Sequence, residues 1–316
     1  MTSTACRMAF GKELLNLAEK DNKIVVLCSD SRGSCSVTEF GEKLPNQMIE
    51  VGIAEQDEIG IAAGLATVGY KPFVCAPASF LCARSLEQIK VDVAYSDTNV
   101  KIFGVSGGVS YGELGFSHHS THDIAVMSCI PNLAVIVPSD ATQTAEMIKS
   151  LVDVHQPAYI RVGRSAVEDI YPTSSYRGKP FVFGKANKIK EGSDLTIIAC
   201  GELVAPALHA AEDLAKEGLS IRVLDMATIK PLDREAVIQA LDETGAILTV
   251  EEHSIYGGLG AVISQEACQY GKGIVSNLAF PNEFPYTGNS NVIKAHYGLD
   301  TQGIIVAAKK LIERKK

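Results

Sequence analysis

The chain has 316 residues, 46% of them apolar and 21% charged, with no Trp and a formal charge of −8. That length supports two domains of ordinary size, each with its own core. No apolar run reaches the roughly 18 residues needed to span a bilayer, and the negative balance argues against nonspecific nucleic-acid or membrane binding.

The opening stretch, MTSTACRMAFGKELL, has neither a basic n-region nor a small-residue cleavage site, so no signal peptide is expected. Apolar spacing of three and four over MAFGKELLNLAEKD predicts a helix, and KIVVLCSD a short strand ending in polar loop residues. MIEVGIAEQDEIGIAAGLATVGY starts as a strand and runs into a helix rich in Ala and Gly, suited to packing tight against another backbone. KPFVCAPA, NVKIFGVSG and LAVIVPSD repeat one scheme, a near-continuous apolar run followed by Gly, Pro, Ser or Asp. Such runs suit central parallel strands covered on both faces. SLEQIKVDVAYSD and DATQTAEMIKSLVDV read as the intervening helices.

After AYIRVGRS the pattern breaks. AVEDIYPTSSYRGKPFVFGKANKIKEG is rich in turn formers and reads as a linker with an edge hairpin. A second unit follows, in which LTIIACG, SIRVLDM and AILTVEE read as strands and VAPALHAAEDLAKEG, REAVIQALDETG and GAVISQEACQYG as helices. The closing QGIIVAAKKLIERKK has the basic last turn of a helix C-terminus. The expected fold class is α/β, in two domains that are each a mostly parallel sheet flanked by helices. The expected division is 1–175, a linker over 176–190, and 191–316. The eight cysteines are dispersed without a CxxC pair, as small buried hydrophobes of a reducing, cytoplasmic setting would be.

Three groups carry candidate chemistry. Glu55, in VGIAEQD, stands at a strand-to-helix turn. It is either a first-turn acid complementing the helix dipole or a carboxyl kept from water, which can share a proton with a ligand's ring nitrogen. The second group is GVSGGVSYGELGFSHHSTHD, which holds three of the seven histidines. His118 and His122 would share one helical face, as a metal site wants, yet Gly115 and Ser117 favour a loop and no HExxH is present. A cap cluster and a clamp on a sugar or cofactor are the other readings. Its glycines lack both the GK[ST] ending of a phosphate loop and GxGxxG spacing, and say only that backbone must come close to something. Arg7, Arg32, Arg84, Arg161 and Arg164 make the third group, all at predicted element ends or loops. They are either scattered and solvated or, if they converge, an anion site, because guanidinium forks match phosphate or sulfonate oxygens.

Taken in order, CRMAFGKEL, SDSRGSCS, VGIAEQDEIGIAAGLA, ASFLCARSLEQI, GGVSYGELGFSHHSTHDIAVM, IRVGRS, VLDMATIKPLD and TVEEHSIYGGLG resemble the C-terminal half of a transketolase over nearly the whole chain. The resemblance implies a pyrimidine-binding domain followed by the family's C-terminal domain, with thiamine diphosphate as cofactor. The GDG…N motif of the diphosphate-binding domain does not occur in these residues. The implied protein is therefore one subunit of a split transketolase. An N-terminal subunit would hold the diphosphate and its Mg2+ or Ca2+, with no metal ligand from this chain, in an α2β2 assembly. The implied reaction moves a two-carbon ketol unit from a ketose to an aldose.

By the same resemblance Glu55 is the catalytic glutamate, bonded to the aminopyrimidine ring nitrogen. Phe80 falls, with a one-residue slip in register, where an aromatic meets the pyrimidine, and Arg84 follows in RSLEQI. His118 corresponds to the residue that reaches the sugar hydroxyls and the intermediate. Arg7, Ser34 and Arg164 match positions that grip a sugar phosphate. Ser106 stands where many transketolases have a phosphate-binding histidine, and Leu114 replaces the aspartate of GEDG that recognises a donor hydroxyl. Loss of that polar partner leaves such a hydroxyl unpaired and shifts discrimination, which suits an atypical ketose with an anionic tail. No role is implied for His119, His122 or His253. The alternatives are the beta subunit of a 2-oxoacid dehydrogenase, a deoxyxylulose phosphate synthase, or a non-catalytic regulatory partner.

Overall fold

A computed structural model describes residues 3–171 and 179–315. The first sheet has seven strands, in the order Thr228–Lys230, Ala134–Ile136, Ala158–Val162, Lys101–Val105, Lys71–Pro77, Ile24–Cys28 and Met48–Glu50. Neighbours run parallel except at Thr228–Lys230, which pairs antiparallel with Ala134–Ile136. Every residue of Ile24–Cys28, Lys101–Val105 and Ala158–Val162 is buried. Parallel strands reach that state only when helices cover both faces. On one face the helices Cys6–Ala18 and Ala141–Leu151 bring Phe10, Leu14, Met147 and Ile148 against Val26, Phe73 and Phe103. Phe10 stacks on Phe103 with ring centroids 3.5 Å apart. On the other face Glu55–Thr67 and Ala78–Arg84 bring Ile59, Ala62 and Leu81 against Val25, Leu27 and Val74.

The second sheet runs Ile274–Phe280, Ala246–Ser254, Leu195–Ala199, Ile221–Asp225 and Asn187–Lys190, parallel except for the last. Helices Val204–Lys216 and Thr301–Lys315 cover one side. Residues of the other side, among them Ile198, Ile247 and Val237, join the apolar cluster that begins at Val25 and Leu27. The two sheets thus share part of a core.

Several expectations change in detail. Among the described residues the predicted edge hairpin is not seen: Ala166–Glu168 pairs with Ser3–Ala5, and Asn187–Lys190 lies along Ile221–Asp225. Of the expected linker, 187–190 is therefore an edge strand of the second sheet, while 176–178 lies outside the described residues, as do 172–175 at the end of the first expected domain. The helix expected over 85–97 winds as a π-helix from Ile89 to Tyr95. Ile274–Phe280, half-buried and of mixed polarity, has no continuous apolar run to read as a strand.

A buried polar network joins the halves. Asp123, fully buried, accepts a 2.7 Å hydrogen bond from the Tyr159 hydroxyl and lies 3.2 Å from Arg161 Nε. Arg161 Nη2 donates to the Glu252 carbonyl at 2.7 Å, and Glu252 Oε1 accepts from the Val109 amide at 2.8 Å. Removing one member of a buried ion pair leaves the other uncompensated, at about 3–5 kcal/mol. Asp123→Ala should therefore lower the urea midpoint by an amount equivalent to about 3–5 kcal/mol, and Tyr159→Phe by about 1 kcal/mol. Equal effects of the two substitutions would contradict the assignment of Asp123 as the counter-charge.

Candidate active site

Nearly every residue singled out by sequence follows the carboxyl end of a parallel strand of the first sheet, where the loops converge on one edge. Ser34 follows Ile24–Cys28, Glu55 follows Met48–Glu50, and Phe80 and Arg84 follow Lys71–Pro77. His118 follows Lys101–Val105 and Arg164 follows Ala158–Val162. Arg7 arrives separately, from the first turn of Cys6–Ala18.

Glu55 opens its helix and is 4% exposed. Its Oε1 accepts a 2.9 Å hydrogen bond from Arg84 Nη1, and the carboxyl lines an open cleft of about 500 Å3 with Ile53, Ala54, Gln56, Asp57 and Arg84. Arg84 Cζ sits 4.1 Å from the centre of the Phe80 ring. A buried carboxyl opening on a cleft, with an aromatic ring on the far side of its arginine partner, fits a planar heterocycle with a basic ring nitrogen. Among the described residues no group of three or more His, Cys, Asp or Glu is arranged to hold a metal ion.

From Phe80 the site continues as a wall of side chains. His118 meets Phe80 edge-on at 5.3 Å and Tyr111 edge-on at 5.6 Å. The Tyr111 hydroxyl is 2.8 Å from Ser34 Oγ and accepts from Arg164 Nη1 at 2.8 Å. Arg7 braces this end, donating to the carbonyls of Arg164, Gly33 and Ser34 and to Ser36 Oγ at 3.0–3.2 Å. Burial, and secondarily the positive charge of Arg164, push its pKa down. The structure thus brings Arg7, Ser34 and Arg164 together. Ser106 shares no hydrogen bond with them: it is 1% exposed, at φ +63°, and its buried hydroxyl has no hydrogen-bond partner among the described residues. Leu114, in the short turn Gly112–Leu114, is 52% exposed.

The histidines separate. His118 is half-buried on a loop, with Nδ1 3.0 Å from Ser117 Oγ. His119 is buried with Nε2 3.4 Å from the Gly112 carbonyl, and burial pushes its pKa down. His122 Nε2 lies 3.4 Å from Cys82 Sγ. His253, fully buried, donates from Nδ1 to the Ser254 carbonyl and accepts the Ala125 amide at Nε2, so it caps the helix Asp123–Ser128. Arg32 pairs with Glu50 at 2.8 Å, and Arg161 belongs to the interdomain network.

The fold agrees with the chain's relatives. Residues 2–169 match the transketolase pyrimidine-binding domain, and residues 184–304 the transketolase C-terminal domain. The chain is 51% identical, over 98% of both chains, to one of the apulose-4-phosphate transketolase subunits of Phocaeicola vulgatus. It belongs to the transketolase family. It is also 35% identical to the 6-deoxy-6-sulfo-D-fructose transketolase subunit SqwH of Clostridium sp. (strain MSTE9), over 96% of this chain and 92% of that one. A solved structure described as a split gene transketolase, inactive beta4 tetramer, superposes with a TM-score of 0.89 at 36% identity, covering all of both chains.

Three parts of this transketolase subunit's site lie beyond the sequence reading. Tyr111 has no assigned role in its motif, although an aromatic hydroxyl set in a Gly-rich loop among candidate anion ligands is the available signal. The second is the loop before Ser290–His296, which supports the histidine loop: the Gly288 amide donates to the Gly112 carbonyl at 2.9 Å, and Phe284 meets Phe116 at 4.5 Å. A Cβ on Gly112 would lie 2.3 Å from the Gly288 carbonyl oxygen, so only glycine allows this approach. The third is Glu58, fully buried on the helix that Glu55 begins and accepting the Cys75 amide at 3.3 Å.

Burial, followed by the neighbouring Cys28, pushes the Glu58 carboxyl up to about 9. Folding therefore takes up a proton there between the ordinary carboxyl range, about 4.3, and about 9. The stability this site leaves to the fold is full below that window and falls as pH rises through it. Glu58→Gln removes the proton uptake. The melting temperature of that variant relative to the parent should rise steadily from pH 5 to pH 8 in thermal unfolding scans; a pH-independent difference would contradict the assignment.

Proposed function

We propose that this chain is the C-terminal subunit of a split transketolase. Together with an N-terminal subunit it would move a two-carbon ketol unit from a ketose with an anionic tail to an aldose acceptor. The observation that carries the reading is the wall itself. A buried carboxyl, Glu55, opens on a cleft at one end, and Arg7 and Arg164 gather at the other, with Phe80, His118 and Tyr111 between them. A substrate lying along it would have its carbonyl near the cleft and its charged end on the guanidinium groups.

Thiamine diphosphate, when bound, supplies the electron sink for the two-carbon fragment. Glu55 and Phe80 would hold its pyrimidine ring. Glu55 would keep a proton shared with the ring nitrogen, exchanging its bond to Arg84 for that contact. Arg84 would remain beside the carboxyl as its counter-charge. His118 would bond the sugar hydroxyls, and Arg7, Ser34 and Arg164 would position the anionic end. The diphosphate and its Mg2+ or Ca2+ are assigned to the partner subunit, in an α2β2 assembly in the cytoplasm.

For the donor we favour a branched or end-modified ketose bearing a phosphate or sulfonate. Leu114, exposed and apolar, offers no hydrogen bond where a family aspartate reads a hydroxyl. The two relatives are named for apulose 4-phosphate and for 6-deoxy-6-sulfo-D-fructose, sugars of that description. Steady-state rates across a panel including xylulose 5-phosphate test this; a clear preference for xylulose 5-phosphate would defeat it.

Glu55→Gln removes the transferable proton while keeping the side chain's size. In the complex with the partner subunit, ketol transfer should fall by at least about 10²-fold, with assembly unchanged on size exclusion. Retained activity, or loss of assembly, would return Glu55 to a helix-capping role.

A further inference from the structure

Tyr111 joins the two ends of the wall. Its ring stands edge-on to His118 at 5.6 Å and lies 4.6 Å from Arg164 Cζ, while its oxygen is 2.8 Å from both Arg164 Nη1 and Ser34 Oγ. Arg164 donates to that oxygen, so the phenolic proton is left for Ser34 or for an incoming acceptor. A hydroxyl polarised by a guanidinium is a strong donor to an anion. Among the described residues neither Arg7 nor Arg164 has a carboxylate within ion-pair distance. Two guanidinium groups without a counter-charge and two hydroxyls turned toward each other call for a tetrahedral oxyanion.

We infer that Tyr111 determines specificity for the anionic tail of the sugar: its hydroxyl donates to a phosphate or sulfonate oxygen held by Arg7 and Arg164. Its ring also fixes the spacing between that anion and His118. A sugar is then accepted when its charged end lies one aromatic ring's width beyond the hydroxyls that His118 reads. This assignment rests on the transketolase reading of the site and names the residue that selects among its substrates.

The test is Tyr111→Phe, which keeps the ring on Arg164 and His118 and removes only the hydroxyl. In the assembled complex, ribose 5-phosphate and ribose are compared as acceptors with one fixed donor. The variant should lose about 10–100-fold in kcat/KM for ribose 5-phosphate, almost all of it in KM, with kcat within about threefold and ribose unaffected. An equal loss on both sugars would mark Tyr111 as merely structural and overturn the assignment, as would no loss on either. Competition by inorganic phosphate and by methanesulfonate separates the two tails: the anion that inhibits the parent at the lower concentration should lose that advantage in the variant. Calorimetric titration of the full chain with ribose 5-phosphate decides the matter apart from turnover. Binding weakened about tenfold or more by Tyr111→Phe supports the assignment even if no ketose is processed, an outcome that would instead defeat the proposed reaction. Equal binding by parent and variant, or none by the parent, overturns it.

Discussion

Parallel pairing of the strands from Ile24 to Val162 is the constraint on which the site depends. Parallel strands send all their carboxyl-end loops to one edge of the sheet. Segments separated by more than a hundred residues thereby deliver Ser34, Glu55, Phe80, Tyr111, His118 and Arg164 to a common surface. No single loop could carry a carboxylate at one end of a wall and two guanidinium groups at the other. The C-terminal domain then presses on one of these loops from outside, through Gly288 against Gly112 and Phe284 against Phe116.

The energetics divide the polar groups into three kinds. The Asp123–Arg161 network is sealed between the domains, where unbalanced charge is costly, and it holds the fold together. The Glu55–Arg84 pair is different. Its arginine side chain is 48% exposed, so the bond adds little stability and can be exchanged for another partner. Arg7 and Arg164 are different again, part-buried with their donors on neutral carbonyls and hydroxyls and not on a carboxylate.

Much of this is legible in the sequence, for physical reasons. Apolar runs such as IVVLC and KIFGV are unambiguous because both faces of a central parallel strand are buried. The order of motifs carries the family, and Glu55, Phe80, Arg84, His118, Arg7, Ser34 and Arg164 lie along one wall, although matched from separate segments. What stays hidden depends on tertiary contact. Thr228–Lys230 crosses to the first sheet, which its own sequence cannot reveal. Ser106 reads as an ordinary polar loop residue, and only the fold shows its left-handed backbone and its burial. Glu58 reads as one more polar residue of a helix, and only its burial in the folded chain, with Cys28 close by, makes its charge costly. Tyr111 gains meaning only with Arg164 across its ring.

The most direct test of the central claim is a structure of the assembled complex with thiamine diphosphate and magnesium bound. The account predicts a Glu55 carboxylate oxygen about 2.6–3.2 Å from the pyrimidine ring nitrogen, with Phe80 against the ring and the diphosphate held by the other polypeptide. A cofactor bound elsewhere, with Glu55 still paired to Arg84 and remote from the heterocycle, would contradict it.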